Sequence, residues 1–154
     1  RWVDIIAREL GLACLNLGEN GRMIPRSGGP GLAPGDFLLV MLGTNDLLCG
    51  APAAECAARL RRFLAGCSIA DSRAMVIAPP ALRRGAWVRD ERQLSESRLL
   101  APLYESAALE LGLHFADAGR WDVELAYDGV HFTENGSRSF ASGLKKALIP
   151  IIYV

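Results

Sequence analysis

Residues 37–46 read FLLVMLGTND, and this stretch decides the fold. The six consecutive apolar residues from Phe37 to Leu42 predict a strand buried on both faces, which is typical of a parallel sheet. The small and polar residues that follow then lie at the carboxyl end of that strand, where open α/β sheets bind ligands. There the Asn45 amide can donate to a substrate oxygen, whereas Asp46 is suited to capping or bracing the turn.

Helical and strand patterns alternate on both sides of this stretch. Periodicity and capping signals predict helices over residues 2–10, about 52–65, 90–111 with Pro102 inside, and 133 or 134 to about 148. Strands are predicted over residues 12–17, 37–42, 73–78 and 113–117. Alternating units of this length predict one α/β domain over residues 1–154, a three-layer α/β/α sandwich with a parallel, flavodoxin-like sheet.

The composition is that of a soluble domain with one core. The chain is 51% hydrophobic, and its mean hydropathy is +0.19. Seventeen basic residues balance seventeen acidic ones, which gives no electrostatic reason to expect nucleic acid or an anionic membrane as partner. The apolar runs are far shorter than the roughly 20 residues needed to span a bilayer.

Four cysteines bear on the cellular compartment. Their positions show neither CxxC nor zinc spacing, so no metal site is predicted. We interpret them as reduced, mostly buried thiols of a cytoplasmic protein. They are Cys14, Cys49, Cys56 and Cys67.

A second polar motif lies near the C-terminus, where Asp128 precedes His131 by three residues. A carboxylate on such a turn can bind one ring nitrogen and leave the other free as a general base. The alternative is a purely structural turn before a helix, with Asp128 bound to backbone amides and His131 half-buried. A base also needs a nucleophile, and the 154 residues contain neither a Gly-Asp-Ser motif nor a nucleophile elbow.

A glycine-containing loop follows the first predicted helix and strand. It reads Asn16-Leu17-Gly18-Glu19-Asn20-Gly21. Glycine allows a positive φ and lets a backbone N–H approach a ligand closely. Alone, the loop is weak support for a site.

In this order, the three motifs resemble those of the SGNH hydrolases, also called the GDSL lipase/esterase family. Gly21 and Asn45 look like the family's oxyanion-hole donors, and Asp128 and His131 look like its last motif. Similarity to the arylesterase and acyltransferase branch is carried by Arg1-Trp2 and Ala78-Pro79-Pro80.

The resemblance implies a serine esterase that acts through an acyl-enzyme, with a Ser-His-Asp triad and a Gly/Asn oxyanion hole. It implies no metal or organic cofactor. Short linking loops and the lack of a large lid segment favour a small-molecule acetyl or aryl ester over a long-chain lipid. Acyl transfer to an alcohol stays open, as does assembly into a homo-oligomer.

The departure from the family is the absent Gly-Asp-Ser motif, which in the family follows the first strand. That strand lies between the second and third in the 2-1-3-4-5 order. Without it, strands 12–17 and 37–42 would face each other about 10 Å apart with unpaired ladder groups. We therefore expect that roughly 25 to 35 residues of the natural protein precede Arg1. A second gap stays open near 27–35, because this stretch is too rich in glycine and proline for the helix usual there.

Three further residues are candidates for substrate binding, each with a plainer alternative. Arg22, next to the candidate oxyanion glycine, can contact an acidic group of the substrate. Trp87 can form part of a substrate rim, although a solvated loop is the alternative. Trp121 can line the acyl pocket or simply pack in the core. His114, inside the last predicted strand, is interpreted as structural.

Two other classes of function remain open. One is a catalytically inactive SGNH-like module that binds an ester or a sugar without turning it over. The other is a flavodoxin-like binding domain, for which flavin absorbance of the purified protein would be the sign.

Overall fold

The computed structural model describes residues 1–69 and 73–153. Three parallel strands form a sheet in the order β1 (Leu38–Val40), β2 (Ala74–Ala78) and β3 (His114–Asp117). All five residues of β2 are buried. This continuous burial is the reason why the strand is apolar throughout, as expected for the centre of a parallel sheet.

Helices cover both faces of the sheet. They are α1 (Trp2–Leu10), α2 (Thr44–Leu48), α3 (Ala53–Ala65), α4 (Glu91–Glu110) and α5 (Glu134–Ile152), with a 3₁₀ turn at Ala118–Arg120. Helices α1 and α5 pack together on one face, and α2, α3 and α4 pack on the other. The predicted three-layer α/β/α sandwich is therefore confirmed.

The core consists of two apolar clusters separated by the sheet. Side chains alternate along β2, so Val76 and Ala78 pack towards α3 and α4, whereas Met75 and Ile77 pack towards α1 and α5. Burial of each large side chain of this strand stabilises the fold by roughly 1.5–3 kcal/mol. The strand is thus anchored in the core on both of its faces.

Helix boundaries follow capping chemistry. The side chain of Asp90 accepts a hydrogen bond from the Arg92 N–H at the start of α4. The hydroxyl of Thr133 accepts one from the Gly136 N–H at the start of α5. Each side chain satisfies a backbone donor that has no partner within its helix. The sequence does not predict helix α2, because only five residues form it and its sequence looks like a strand end.

The predicted strand at 12–17 is wrong. Residues 11–20 are irregular and exposed, and the Leu15 side chain retains 83% of its accessible surface. In the described part of the chain, no segment pairs with the free edge of β1. A strand needs a neighbour to accept its backbone hydrogen bonds, so an apolar pattern alone does not form one here. Within the described residues, segment 12–17 does not pair directly with segment 37–42, and no strand lies between the two segments.

The prediction that the cysteines are mostly buried holds for two of the four. All four cysteines are free, but Cys14 and Cys49 are exposed, so only Cys56 and Cys67 are buried as expected. The exposed pair lies outside the elements that form the core. Among the described residues, no helix combines the length and the apolar character needed to cross a bilayer.

Candidate active site

Asp128 and His131 lie on a narrow turn formed by residues 124–133, which we call the Asp128 turn. Its two arms are joined by hydrogen bonds from Ala126 N to His131 O (2.7 Å) and from Thr133 N to Glu124 O (3.1 Å). The turn reverses through Gly129, whose φ of +84° disfavours other residues. Because α5 begins directly after the turn, the helix cap and the turn hold each other in place.

Within this turn, the Asp128 carboxylate is fully engaged. Its Oδ1 accepts from the backbone N–H groups of Val130 (2.8 Å) and His131 (3.0 Å), and its Oδ2 lies 2.8 Å from His131 Nδ1. Burial raises the pKa of this carboxyl, but the two backbone amides and the imidazole together hold the pKa below its usual value. The group is therefore an ionised acceptor, which orients the ring and leaves Nε2 free.

The two interpretations of the Asp-x-x-His pair are both partly realised. Asp128 binds backbone amides, as the structural alternative requires, and it also binds the ring, as the catalytic one requires. The His131 side chain, however, is 58% exposed and not half-buried. An exposed ring held at one nitrogen is accessible to a reacting group at the other.

A second loop, residues 83–88, packs against the Asp128 turn; we call it the Trp87 loop. The N–H groups of Arg83, Ala86 and Trp87 donate to the carbonyls of Gly129 (3.0 Å), Tyr127 (3.1 Å) and Asp128 (3.1 Å), respectively. These bonds seat the Trp87 ring edge-on to the His131 ring, with centroids 5.0 Å apart. The predicted rim residue thus lies beside the candidate base.

Gly85 is the point of closest approach between this loop and the Asp128 turn. A Cβ built on Gly85 would lie 2.5 Å from the carbonyl carbon of Asp128 and 2.6 Å from the Gly129 nitrogen. Only glycine fits at that separation without displacing backbone. No pattern in the sequence marks this position, since the approach is a tertiary contact.

Asn45 lies at the carboxyl end of β1, where it contacts a segment that we call the Gly21 loop (residues 18–24), which also carries Arg22. Gly21 has a φ of +72°, which is the positive φ that a glycine in this loop allows. The Asn45 side chain donates from Nδ2 to the Arg22 carbonyl (2.9 Å). Here the chain forms a cleft lined by Gly18, Glu19, Arg22 and residues 41–45.

Asp46 and Tyr104 hold this end of β1 in place. Asp46 is fully buried and accepts from the Ile24 N–H (3.0 Å), so it braces the Gly21 loop. It does not cap α2, whose N-cap residue is Gly43. The Tyr104 hydroxyl, on α4, donates to the Leu42 carbonyl (3.0 Å) just before Gly43. A Cβ built on Gly43 would lie 2.1 Å from that hydroxyl oxygen, so the backbone at Gly43 packs directly against the Tyr104 hydroxyl.

The remaining predicted residues have mixed surroundings. Arg22 lines the cleft, but its guanidinium pairs with Glu19 at 2.6 Å. Trp121 packs against Phe140, with ring centroids 5.1 Å apart, and lies over Gly143 of α5, which is the packing alternative left open by the sequence. Asn45 lines the cleft at β1, whereas Gly21 and His131 lie outside its lining. A single pocket shared by these residues, as the resemblance implies for the oxyanion-hole donors and the base, therefore stays a prediction.

Comparison with known families decides the relationship of this chain. Residues 1–138 match the model of the GDSL-like Lipase/Acylhydrolase family. The chain belongs to this family. The resemblance drawn from the three motifs is thereby confirmed. No curated protein is significantly similar to the chain in sequence.

Solved structures similar to this GDSL-like chain share its fold. A carbohydrate acetylesterase family member from Sinorhizobium meliloti is 22% identical, with a TM-score of 0.83, covering 100% of this chain and 87% of that one. The aryl esterase of M. smegmatis is 21% identical, with a TM-score of 0.82 and coverages of 98% and 85%. A protein from Agrobacterium tumefaciens str. C58 is 29% identical, with a TM-score of 0.79 and coverages of 98% and 86%.

The nucleophile of a GDSL-like hydrolase is the component that the described residues do not supply. Within residues 1–69 and 73–153, the His131 ring has Asp128 as its hydrogen-bond partner, and no serine hydroxyl binds its Nε2. The same part of the chain holds no group of three His, Cys, Asp or Glu side chains suited to a metal ion. What the geometry offers is an exposed imidazole oriented by a carboxylate, and a glycine-containing loop at the carboxyl end of β1.

Proposed function

We propose that this protein is a serine esterase that hydrolyses small acyl esters through an acyl-enzyme. The observation that supports the proposal most is the His131 ring, which is exposed and held at Nδ1 by an ionised carboxylate 2.8 Å away. A carboxylate at Nδ1 favours the tautomer that carries its proton on that nitrogen, and Nε2 is then the acceptor that a general base needs. Membership in a hydrolase family supports the same chemistry.

In the proposed reaction, the nucleophile is the serine of the family's Gly-Asp-Ser motif, carried by the full-length protein. Its Oγ attacks the ester carbonyl carbon, and His131 Nε2 accepts the hydroxyl proton. The tetrahedral adduct collapses, and the alcohol leaves with the proton from His131. Water then attacks the acyl-enzyme, with His131 again as base, and releases the carboxylic acid.

Stabilisation of the tetrahedral oxyanion is assigned to Gly21 and Asn45. The Gly21 N–H lies in a loop whose positive φ requires glycine. One Nδ2 proton of Asn45 is donated to the Arg22 carbonyl, which leaves the other for the oxyanion. Loss of one such donor typically costs about 10²- to 10³-fold in rate.

Substrate preference is assigned to the surroundings of His131. The exposed Trp87 indole stands edge-on to the imidazole and offers an apolar wall to the acyl or alcohol group of a small ester. Arg22, whose guanidinium already pairs with Glu19, is the candidate contact for an acidic substituent. The acetyl and aryl esters implied by the resemblance fit such a wall, and transfer of the acyl group to an alcohol is a variant of the same mechanism.

The test is turnover of p-nitrophenyl acetate by the full-length protein. We expect the His131→Ala variant to lose turnover while keeping its fold, because the Nε2 base is removed from an exposed position. The matched control is His114→Ala, which removes the other histidine from β3 and should keep turnover. Equal rates for the parent and the His131 variant would contradict the mechanism.

A second candidate is a binding module without turnover. It is favoured by the lack of a serine partner for His131 among the described residues. An intact mass of the natural protein equal to 16.6 kDa, together with ester binding but no hydrolysis, would support it. A mass about 3 kDa higher would fit an additional strand and loop of the length expected for a βα unit.

A further inference from the structure

We infer that Arg59 of α3 is a positioning residue for the oxyanion side of the site, and that it acts through Asp46. This inference rests on the proposed function, since it concerns the placement of the Gly21 and Asn45 donors. Neither Arg59 nor Asp46 is expected to touch the substrate.

The first step of the argument is the environment of Asp46. Its carboxylate is fully buried, and both oxygens are used: Oδ1 lies 2.8 Å from Arg59 Nη1, and Oδ2 accepts from the Ile24 N–H at 3.0 Å. A buried carboxylate is tolerated only when it is paired and hydrogen-bonded. Arg59 is therefore the partner that compensates the burial of the Asp46 carboxylate, which in turn holds the Ile24 N–H.

The second step is the pairing of Asp46 with its neighbour in sequence. Asn45 and Asp46 lie in the first turn of α2, and they hold the Gly21 loop at two backbone positions on either side of Met23. Asn45 binds the Arg22 carbonyl, and Asp46 binds the Ile24 N–H. The direction of the Gly21 N–H and that of the Asn45 amide are thus set by one short, doubly anchored segment.

The third step is what happens when Arg59 is removed. Asp46 would then be a buried carboxylate without a counter-ion, and it would gain solvation by turning away from Ile24. The loop would lose one of its two anchors, and the Asn45 amide would shift with it. Donors preorganised towards a developing charge act mainly on the chemical step, so a displacement should lower kcat far more than it changes KM.

The chain offers a matched control. Glu55 binds the same guanidinium through Nη2 at 2.5 Å, but its side chain is 49% exposed and its hydrogen bond goes to Arg59 rather than to the Gly21 loop. Glu55→Gln therefore perturbs Arg59 without removing the counter-ion of Asp46. Exposed ion pairs of this kind contribute little, so this variant should behave like the parent.

The experiment compares Arg59→Ala, Arg59→Lys and Glu55→Gln in the full-length protein. Amide exchange of Ile24 by NMR reports the anchor, and kcat and KM for p-nitrophenyl acetate report the site. For Arg59→Ala we expect Ile24 exchange to be about tenfold faster or more, kcat to fall about 10- to 10²-fold, and KM to stay within about threefold. Arg59→Lys should recover part of kcat, because lysine restores a cation beside Asp46 but cannot bind Asp46 and Glu55 with the fixed fork of a guanidinium.

The outcomes separate the inference from the proposed function. Faster Ile24 exchange with an unchanged kcat would overturn the inference, because the anchor would then be structural only. An equal loss of kcat in Glu55→Gln would also overturn it, as would a fall of kcat in Arg59→Ala with no change at Ile24. A parent protein without turnover would instead refute the proposed function. If Arg59→Ala does not fold, the lysine variant decides by the same two measurements.

Discussion

Replacement of Gly85 by alanine tests whether the Trp87 loop sets the position of the Asp128 turn. The added Cβ would lie 2.5 Å from the Asp128 carbonyl carbon, 2.6 Å from its oxygen and 2.6 Å from the Gly129 nitrogen. Ordinary contacts of a Cβ begin near 3.4 Å, so the two backbones must separate by about 1 Å. Neither partner can yield by a simple rotamer change, because every atom in the contact belongs to the main chain.

The expected magnitude follows from that displacement. Overpacking of this kind typically costs about 1–3 kcal/mol in the free energy of unfolding. A misplacement of about 1 Å in a catalytic group can lower the rate about 10²-fold. Gly85→Ala should therefore destabilise the protein by about 1–3 kcal/mol and, in an active full-length protein, reduce p-nitrophenyl acetate turnover by about two orders of magnitude.

The assay is chemical denaturation together with initial rates, with Gly66→Ala as control. Gly66 has a φ of −83°, and a Cβ there would meet its nearest neighbour at 3.4 Å, so this variant introduces alanine without the clash. Parental stability and turnover in Gly85→Ala would refute the reasoning. Losses of the same size in Gly66→Ala would refute it as well, because that variant adds the methyl group without the backbone contact.

Three other changes test separate contacts. Tyr104→Phe should lower the free energy of unfolding by about 1–3 kcal/mol, measured by denaturation, because it leaves the Leu42 carbonyl without its buried donor. The pKa of Asp128 lies below its ordinary 3.8 in the fold, so its contribution to stability is present at neutral pH and is lost as the pH falls through the folded value. When the free energy of unfolding is measured between about pH 6 and pH 3, it should therefore fall less in Asp128→Asn than in the parent. His114→Ala should cost about 0.5–1.5 kcal/mol, since the imidazole stacks on Phe37 at 6.2 Å, and an unchanged denaturation midpoint would count against that packing.

Elements defined by local pattern were well predicted from the sequence. Helix α1 has the predicted bounds, and α3, α4, β2 and β3 differ by a residue or so at their ends. Their signals are apolar periodicity and capping residues, which lie within the elements themselves. Residues 12–17 carry the same kind of apolar signal, yet they form no strand. A strand also depends on a neighbouring edge, and this requirement is not written in the segment that would form it.

In the candidate site, too, local contacts could be predicted from the sequence, whereas contacts between distant segments could not. Asp128 and His131 are three residues apart, so their contact could be predicted from spacing alone, and the structure has it at 2.8 Å. The groups that hold the site are distant in sequence: Arg59 is 13 residues from Asp46, and Tyr104 is 62 from Leu42. Each is an ordinary residue within its own helix, and only the packing of α3 and α4 against the end of β1 gives it a partner. Motifs therefore identify the reacting groups, whereas the residues that orient them emerge only from the folded chain.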